Sequence, residues 1–290
     1  MRFEELARME EVRRHEPEAP LVRVVALHGF GGADRGDDLA VLSADGPVGA
    51  VVMAGLAEQL GSDPTPRRAR LAIDDRDAEG HGLACGGWVD VMVHPVGWIG
   101  DVVDFVERRQ PFVVRTPLVE GVPAEPCELV ADPTARPGVR VGDELHLHGF
   151  APTPRLVVAG EGPLVEELLG LARWLGAEAE ASDAIASLGP LDGVVVLTHD
   201  HDRATPILAR AIEVGAGYVA ALGSREIQAE RRRRLALAGA NPNRLFGPAG
   251  LDLGARSVRE TALAIVAEWV GVTHGRSRGS LRDGTGPING

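Results

Sequence analysis

The sequence predicts an α/β protein. A mixed α+β N-terminal domain spans residues 1–150, a Rossmann-like doubly wound parallel-sheet domain 151–272, and an extended Gly/Arg-rich tail 273–290. Three observations lead there. At 290 residues the chain exceeds the usual single-domain range. At Ala151–Pro154 (APTP) the texture changes as it does at a linker. Beyond it, short aliphatic runs alternate with helical runs across Gly turns, the pattern of a parallel sheet.

A first helix is expected from Phe3 to about Arg14, ended by Pro17 and Pro20. LVRVVAL (21–27) and DDLAVLS (37–43) read as strands around a Gly-rich turn, and 48–60 as a strand turning into a helix. ARLAID (69–74) and GWVDVMVHPV (87–96) have strand character, the latter with Val89, Val91 and Val93 in alternation. Apolar Val102, Val103, Phe105 and Val106 suggest a helix over Ile99–Arg109, and a β-rich segment follows to about His148. In the second domain, strands are expected in RLVVA, AEAEA, GVVVL and YVAAL. Helices are expected over 163–176, from Arg203 to about Gly215, after Arg225, and over Val258–Val270.

Composition removes whole classes of function. The net charge of -12 argues against nucleic acid or an anionic membrane as a general partner. The run Arg231–Arg234 is the local exception, read as the solvated face of a helix. No lysine occurs, so neither a P-loop lysine nor a Schiff-base amine is available. Two cysteines cannot build a disulfide framework, and no apolar run resembles a signal peptide or a membrane span. The expectation is a soluble, cytoplasmic chain.

The candidate site residues lie at strand ends. Cys85 precedes Gly86 and Gly87, where a thiolate and close backbone N–H groups could meet an anion; the alternative is a small buried residue at a strand start. Cys127 lacks such a context and reads as structural. Gly160-Glu161-Gly162 joins a strand to a helix, as a phosphate-cradling turn does, and Asp183 lies about twenty residues on, where a ribose-binding carboxylate would sit. Val165 in the third glycine position, Pro163 and the charge of Glu161 count against tight NAD(P) binding.

Thr198-His199-Asp200-His201-Asp202 ends another strand. His199 and Asp200 suit polar contacts to a cofactor or partner, and His199 with His201 leaves a metal site open as an alternative. The Asp-His pair that would complete a metallo-β-lactamase signature is missing. Gly223, Ser224 and Arg225 could hold a phosphate, or form a turn with a capping serine and a solvated arginine. Asp252 and Arg256 are expected to pair. Two hydrolase-like motifs, His28–Gly32 and Gly275–Gly279, are rejected because Ser277 follows a helix and too little chain remains for the other triad members.

The second half resembles the C-terminal domain of the XdhC/CoxI family through VVVLTHDHD (194–202), YVAALGSR (218–225), GPAGLDLGARSVRETALAIVAE (247–268) and GRSRGSLRDGTGPIN (275–289). GLACGGWVDVMVHP (82–95) resembles the family's Cys-Gly-Gly strand motif. The family's first motif, Gly-Ser-Val-x-Gly-Gly-Cys-x-Glu, is replaced by Gly49-Ala50-Val51-Val52-Met53-Ala54-Gly55-Leu56-Ala57, without hydroxyl, thiol or carboxylate.

The resemblance implies an accessory chaperone with no catalytic residue. It would bind the molybdenum cofactor (molybdopterin) as cargo and assist its sulfuration or insertion into a xanthine dehydrogenase or carbon monoxide dehydrogenase-type enzyme. The implied partners are the apo molybdenum hydroxylase large subunit and a cysteine desulfurase, with a homodimer conceivable. The cofactor would meet Cys85, Gly86, Gly87, Gly160, Gly162, Asp183, His199, Asp200, Ser224 and Arg225, between the two domains. The alternatives are an NAD(P)-binding oxidoreductase and a metal-dependent hydrolase using His199 and His201.

Overall fold

A computed structural model describes residues 3–29, 39–49, 58–74, 86–276 and 279. It divides the chain into two compact units, Met1–Pro152 and Thr153–Gly290. The loop after Gly29, most of the altered first motif, Cys85 and nearly all of the tail lie outside the described residues.

The first unit is built on two antiparallel sheets. β1 (Pro20–Gly29), β2 (Leu39–Ser43), β3 (Gly46–Gly49), β4 (Arg67–Ile73) and β5 (Gly87–Pro95) run in the order β3-β2-β1-β5-β4. Alternation splits the strands between two faces. Val22, Val24, Val89, Val91 and Val93 form one apolar cluster, while Leu21 and Val41 join a second. The other sheet is centred on β6 (Phe112–Val119), paired with β10 (Leu145–Phe150) on one side and with β7 (Val122–Pro123) and β8 (Glu128–Ala131) on the other. β9 (Gly138–Val141) pairs with β10.

Helix α1 (Leu6–His15) buries Leu6 and Met9 in the cluster that holds Phe112, Val114 and Phe150. Phe112 is its hub, with ring centroids 4.6 Å from Phe105, 5.2 Å from Phe150 and 6.2 Å from Phe3. A chain with only 4% aromatics thus concentrates several of them at one point, where each buried ring contributes about 1.5–3 kcal/mol.

The helix expected over Ile99–Arg109 is much shorter. A 3-10 turn (Val96–Ile99) ends at Gly100 with φ 81°, and α2 covers only Val103–Glu107. Asp101 Oδ1 accepts from Val103 N at 2.8 Å, starting a new helix instead of continuing the turn, and Arg109 at φ 49° closes it. The apolar spacing was helical, but Gly100-Asp101 interrupts it.

Several polar groups lie inside this unit, among them Arg23, His94, Thr116 and His146. Arg23 of β1 is fully buried. Its Nη1 donates to Thr116 Oγ1 on β6 and its Nη2 to His146 Nδ1 on β10 at 3.2 Å. A guanidinium only donates, so His146 Nδ1 is the acceptor, and Nε2 carries the proton given to the Val24 carbonyl at 3.2 Å. Burial, and then the Arg23 charge, pushes His146 down to about 2 and the fully buried His94 down to about 3. Both imidazoles are neutral in the fold.

The second unit holds a parallel sheet. β11 (Arg155–Ala159), β12 (Glu178–Ala181), β13 (Gly193–Val196), β14 (Tyr218–Ala221) and β15 (Leu245–Phe246) run in the order β12-β11-β13-β14-β15. Successive residues again point to opposite faces, and here both faces are covered by helices. Leu156, Val158, Val195 and Ala220 pack against α3 (Pro163–Trp174) and α6 (Val258–Thr273). Val157, Ala159, Val194, Val196 and Val219 pack against α4 (His201–Glu213) and α5 (Arg225–Leu237). This is the α/β doubly wound arrangement that the alternating runs predict. The only tyrosine, Tyr218, fixes α6 to the sheet through Glu268 Oε2 at 2.8 Å, an oxygen that also accepts from Gly250 N at 2.9 Å.

Candidate functional site

The strand order determines where a site can form. The strand after β11 lies on one side of it and the next, β13, on the other, so the connections diverge at the C-terminal ends of β11 and β13. Doubly wound folds bind ligands in that crevice. Gly160–Gly162 leave β11 there, Leu197–Asp200 leave β13, Ser182 and Asp183 follow β12, and Leu222–Ser224 follow β14. The second-unit candidates Gly160, Gly162, Asp183, His199, Asp200, Ser224 and Arg225 therefore share one edge of one sheet. Gly86 and Gly87 belong to the first unit, where Gly87 opens β5 between Gly29 of β1 and Ile73 of β4.

Gly160 is required by packing. Its φ is 143°, and a Cβ there would lie 2.8 Å from Leu197 Cβ on the neighbouring connection. Gly162 N-caps α3 with φ 102°, and among the described residues nothing stands within 4 Å of its added Cβ. Asp183 does not project freely as a ribose acceptor would. Arg203 Nε holds its Oδ2 at 2.6 Å and Arg203 Nη2 its Oδ1 at 3.0 Å, and Arg203 also approaches Glu161 at 3.8 Å.

The 198–202 segment is shorter and more helical than the sequence suggests. β13 ends at Val196, and α4 begins at His201 rather than Arg203. Asp200 is the N-cap, its Oδ1 accepting from Asp202 N at 2.8 Å and Arg203 N at 3.3 Å. His199 is exposed, whereas His201 sits in the first helical turn with Nδ1 buried and without a partner. Among the described residues no group of three or more His, Cys, Asp and Glu side chains is placed to hold a metal. Ser224 N-caps α5, accepting from Ile227 N at 3.4 Å, and Arg225 is exposed. Asp252 and Arg256 do not pair; the Arg256 backbone N–H donates to Glu260 instead.

The arginine run is not a solvated face. Arg231 is 1% exposed, and its guanidinium lies beneath the edge. Nη1 donates to the Leu222 carbonyl and Nη2 to the Thr198 carbonyl at 2.6 Å, while Nε is buried with no partner. Arg232 donates to the Leu245 and Gly247 carbonyls. Arg233 and Arg234 grip Glu230, drawing its carboxyl down to about 2, and Arg234 also holds Asp202 at 2.7 Å. The sequence carried a signal for Arg231. Gln228, Arg231 and Leu235 fall on one helical stripe, and all three are buried.

Residues 156–269 match the family model described as the XdhC Rossmann domain. The molybdenum cofactor insertion chaperone PaoD of Escherichia coli (strain K12) is 27% identical over 199 residues. That alignment covers 64% of this chain and 60% of the relative's length. A solved chain described as a xanthine dehydrogenase from Bacillus halodurans aligns over 96% of this chain and 97% of its own, at 18% identity with a TM-score of 0.41. The similarity to the XdhC family thus lies in residues 156–269, which match its Rossmann domain.

Proposed function

We propose that the protein is an accessory chaperone that takes the molybdenum cofactor as cargo and assists its sulfuration or insertion into a hydroxylase of the xanthine dehydrogenase or carbon monoxide dehydrogenase type. The observation that carries this reading is the XdhC Rossmann match over residues 156–269, the domain in which Gly160, Gly162, His199, Asp200, Ser224 and Arg225 all follow the C-terminal ends of sheet strands. The partly aligned relative, itself described as a molybdenum cofactor insertion chaperone, supports the same reading. The apo large subunit of the hydroxylase would be the receiving partner and a cysteine desulfurase the source of sulfur, with all of them in the cytoplasm. No described helix is long and apolar enough to cross a membrane. Cys85, before Gly86 and Gly87, would provide the thiolate that meets the cargo. A dinucleotide is a poorer fit, because Arg203 already occupies the Asp183 carboxylate and Glu161 stands at the turn.

The test is the molybdenum and pterin content of the protein purified from a host that makes the cofactor, wild type beside Cys85→Ser. Near-stoichiometric molybdopterin, lost in the variant, is the expected result. A wild-type protein empty of both, and unable to raise the activity of an apo-hydroxylase supplied with free cofactor, would overturn the reading.

A further inference from the structure

We infer that the C-terminal edge of β13 and β14 is a phosphate-binding site, in which the His199 and Gly223 backbone N–H groups receive the oxygens and the buried Arg231 guanidinium supplies the charge behind them. The argument starts from the planar trans peptide, whose C=O and N–H point in opposite directions. The Thr198–His199 and Leu222–Gly223 peptides are both trans. Arg231 draws the Thr198 and Leu222 oxygens inward, so the next N–H in each case, at His199 and Gly223, is turned away from the guanidinium. Neither N–H has a hydrogen-bond partner among the described residues.

Strand pairing keeps the two peptides side by side. Val196 lies opposite Ala221, and one guanidinium holds both oxygens. The first free N–H groups of α5 follow directly after Ser224, adding the positive end of the helix dipole. Gly223, at φ 130°, takes a conformation that L side chains rarely adopt.

Arg231 makes this more than an open helix end. It is fully enclosed, makes no ion pair, and satisfies two carbonyls while its Nε stays unpartnered. Burying an uncompensated cation is costly, and an anion seated on the outer side of the two peptides offsets that cost. Three of the nearby carboxylates are occupied, while Glu226 in the first turn of α5 is exposed. Asp200 caps α4, Asp202 is held by Arg234, and Asp183 is held by Arg203. The ligand class is a dianionic phosphate group, free or as a monoester. The inference deepens the chaperone reading, since the pterin of the molybdenum cofactor ends in a phosphate monoester, and rests on it only for that source.

Amide NMR on the full chain tests it, with inorganic phosphate, a pterin phosphate monoester and the dephosphorylated pterin as separate titrants. The expected result is saturable shifts of the His199 and Gly223 amides with both phosphates and none with the dephosphorylated pterin. Arg231→Met is expected to weaken the response at least about tenfold, with Arg231→Lys retaining most of it. Shifts with inorganic phosphate alone would support the site and detach it from the cofactor. Wild-type shifts absent at these two amides would overturn it, whatever the variants do. The titration uses no molybdenum, so its failure is distinguishable from failure of the chaperone reading.

Discussion

Among the described residues, each unit buries one arginine completely, and the two are used in opposite ways. Arg23 lies in a β-sheet interior and spends its donors on side chains, Thr116 and His146. Arg231 lies at a sheet edge and spends them on two backbone carbonyls. The first arrangement ties strands of different sheets together and fixes an imidazole tautomer. The second fixes two loops and leaves their amide hydrogens facing away from the charge. A buried cation in a core is therefore a structural cross-link, whereas one beneath a strand-end loop orients the loop and gives it an electrostatic sign.

Arg23→Met breaks the comparison most severely. It leaves the Thr116 hydroxyl and His146 Nδ1 buried without their donor, and a loss of about 3–4 kcal/mol is expected. Chemical denaturation followed through the first unit's tryptophans should show it, with the response to phosphate at His199 and Gly223 unchanged. Arg231→Met should cost less, about 1–3 kcal/mol, because the two orphaned carbonyls are offset by removal of an unpaired buried charge. Its main effect should be on the phosphate response. If the two substitutions had the same profile, the distinction between cross-link and loop clasp would fail.

Acid sharpens the contrast. The His94 and His146 values are lowered in the fold, to about 3 and about 2, so below the ordinary value near 6.5 the unfolded chain binds protons that the native unit refuses. Stability is therefore unaffected by these groups above about pH 7 and falls as pH drops through 6 and 5. Each histidine contributes up to about 1.4 kcal/mol per pH unit. Urea midpoints measured at pH 7.5 and 5.0 should shift downward. The shift should shrink in His94→Gln if that imidazole stays neutral in the native state.

The sequence made this division only partly legible. The parallel sheet could be read because GVVV and YVAA are continuous apolar runs, as strands buried on both faces must be. Most of the edge residues could be read because they follow such a run; Asp183, after the Glu-Ala-Glu-Ala strand, does not. The two arginines were harder to read, although the stripe of Gln228, Arg231 and Leu235 marked the second. Arg23 alternates correctly within LVRVVAL, but alternation gives a face, not the presence of Thr116 and His146 across from it. Arg231 was masked by three arginine neighbours that find carbonyls or carboxylates near the surface, so the run read as solvated. The Asp183 carboxylate was misread for a related reason. Its position after β12 fits a ribose, but Arg203, twenty positions on in sequence, reaches from α4 to take it. Side-chain partners supplied from distant segments are what a single sequence reveals least.

Ser224→Ala should have the smallest effect and separates side chain from main chain at the proposed phosphate site. The Ser224 hydroxyl accepts from Ile227 N at 3.4 Å, near the limit for a hydrogen bond, so its removal should cost no more than about 0.5–1 kcal/mol. By comparison, Asp200→Ala removes a cap that takes two N–H groups, one at 2.8 Å, and should cost about 1–2 kcal/mol. Because the His199 and Gly223 N–H groups are set by Arg231 and not by the serine, phosphate should still shift both amides in Ser224→Ala, with affinity reduced no more than about threefold. A larger loss with the fold intact would move the anion's main contact from the backbone to the Ser224 hydroxyl. It would also reduce Arg231 from the source of the site's charge to a clasp for the loops.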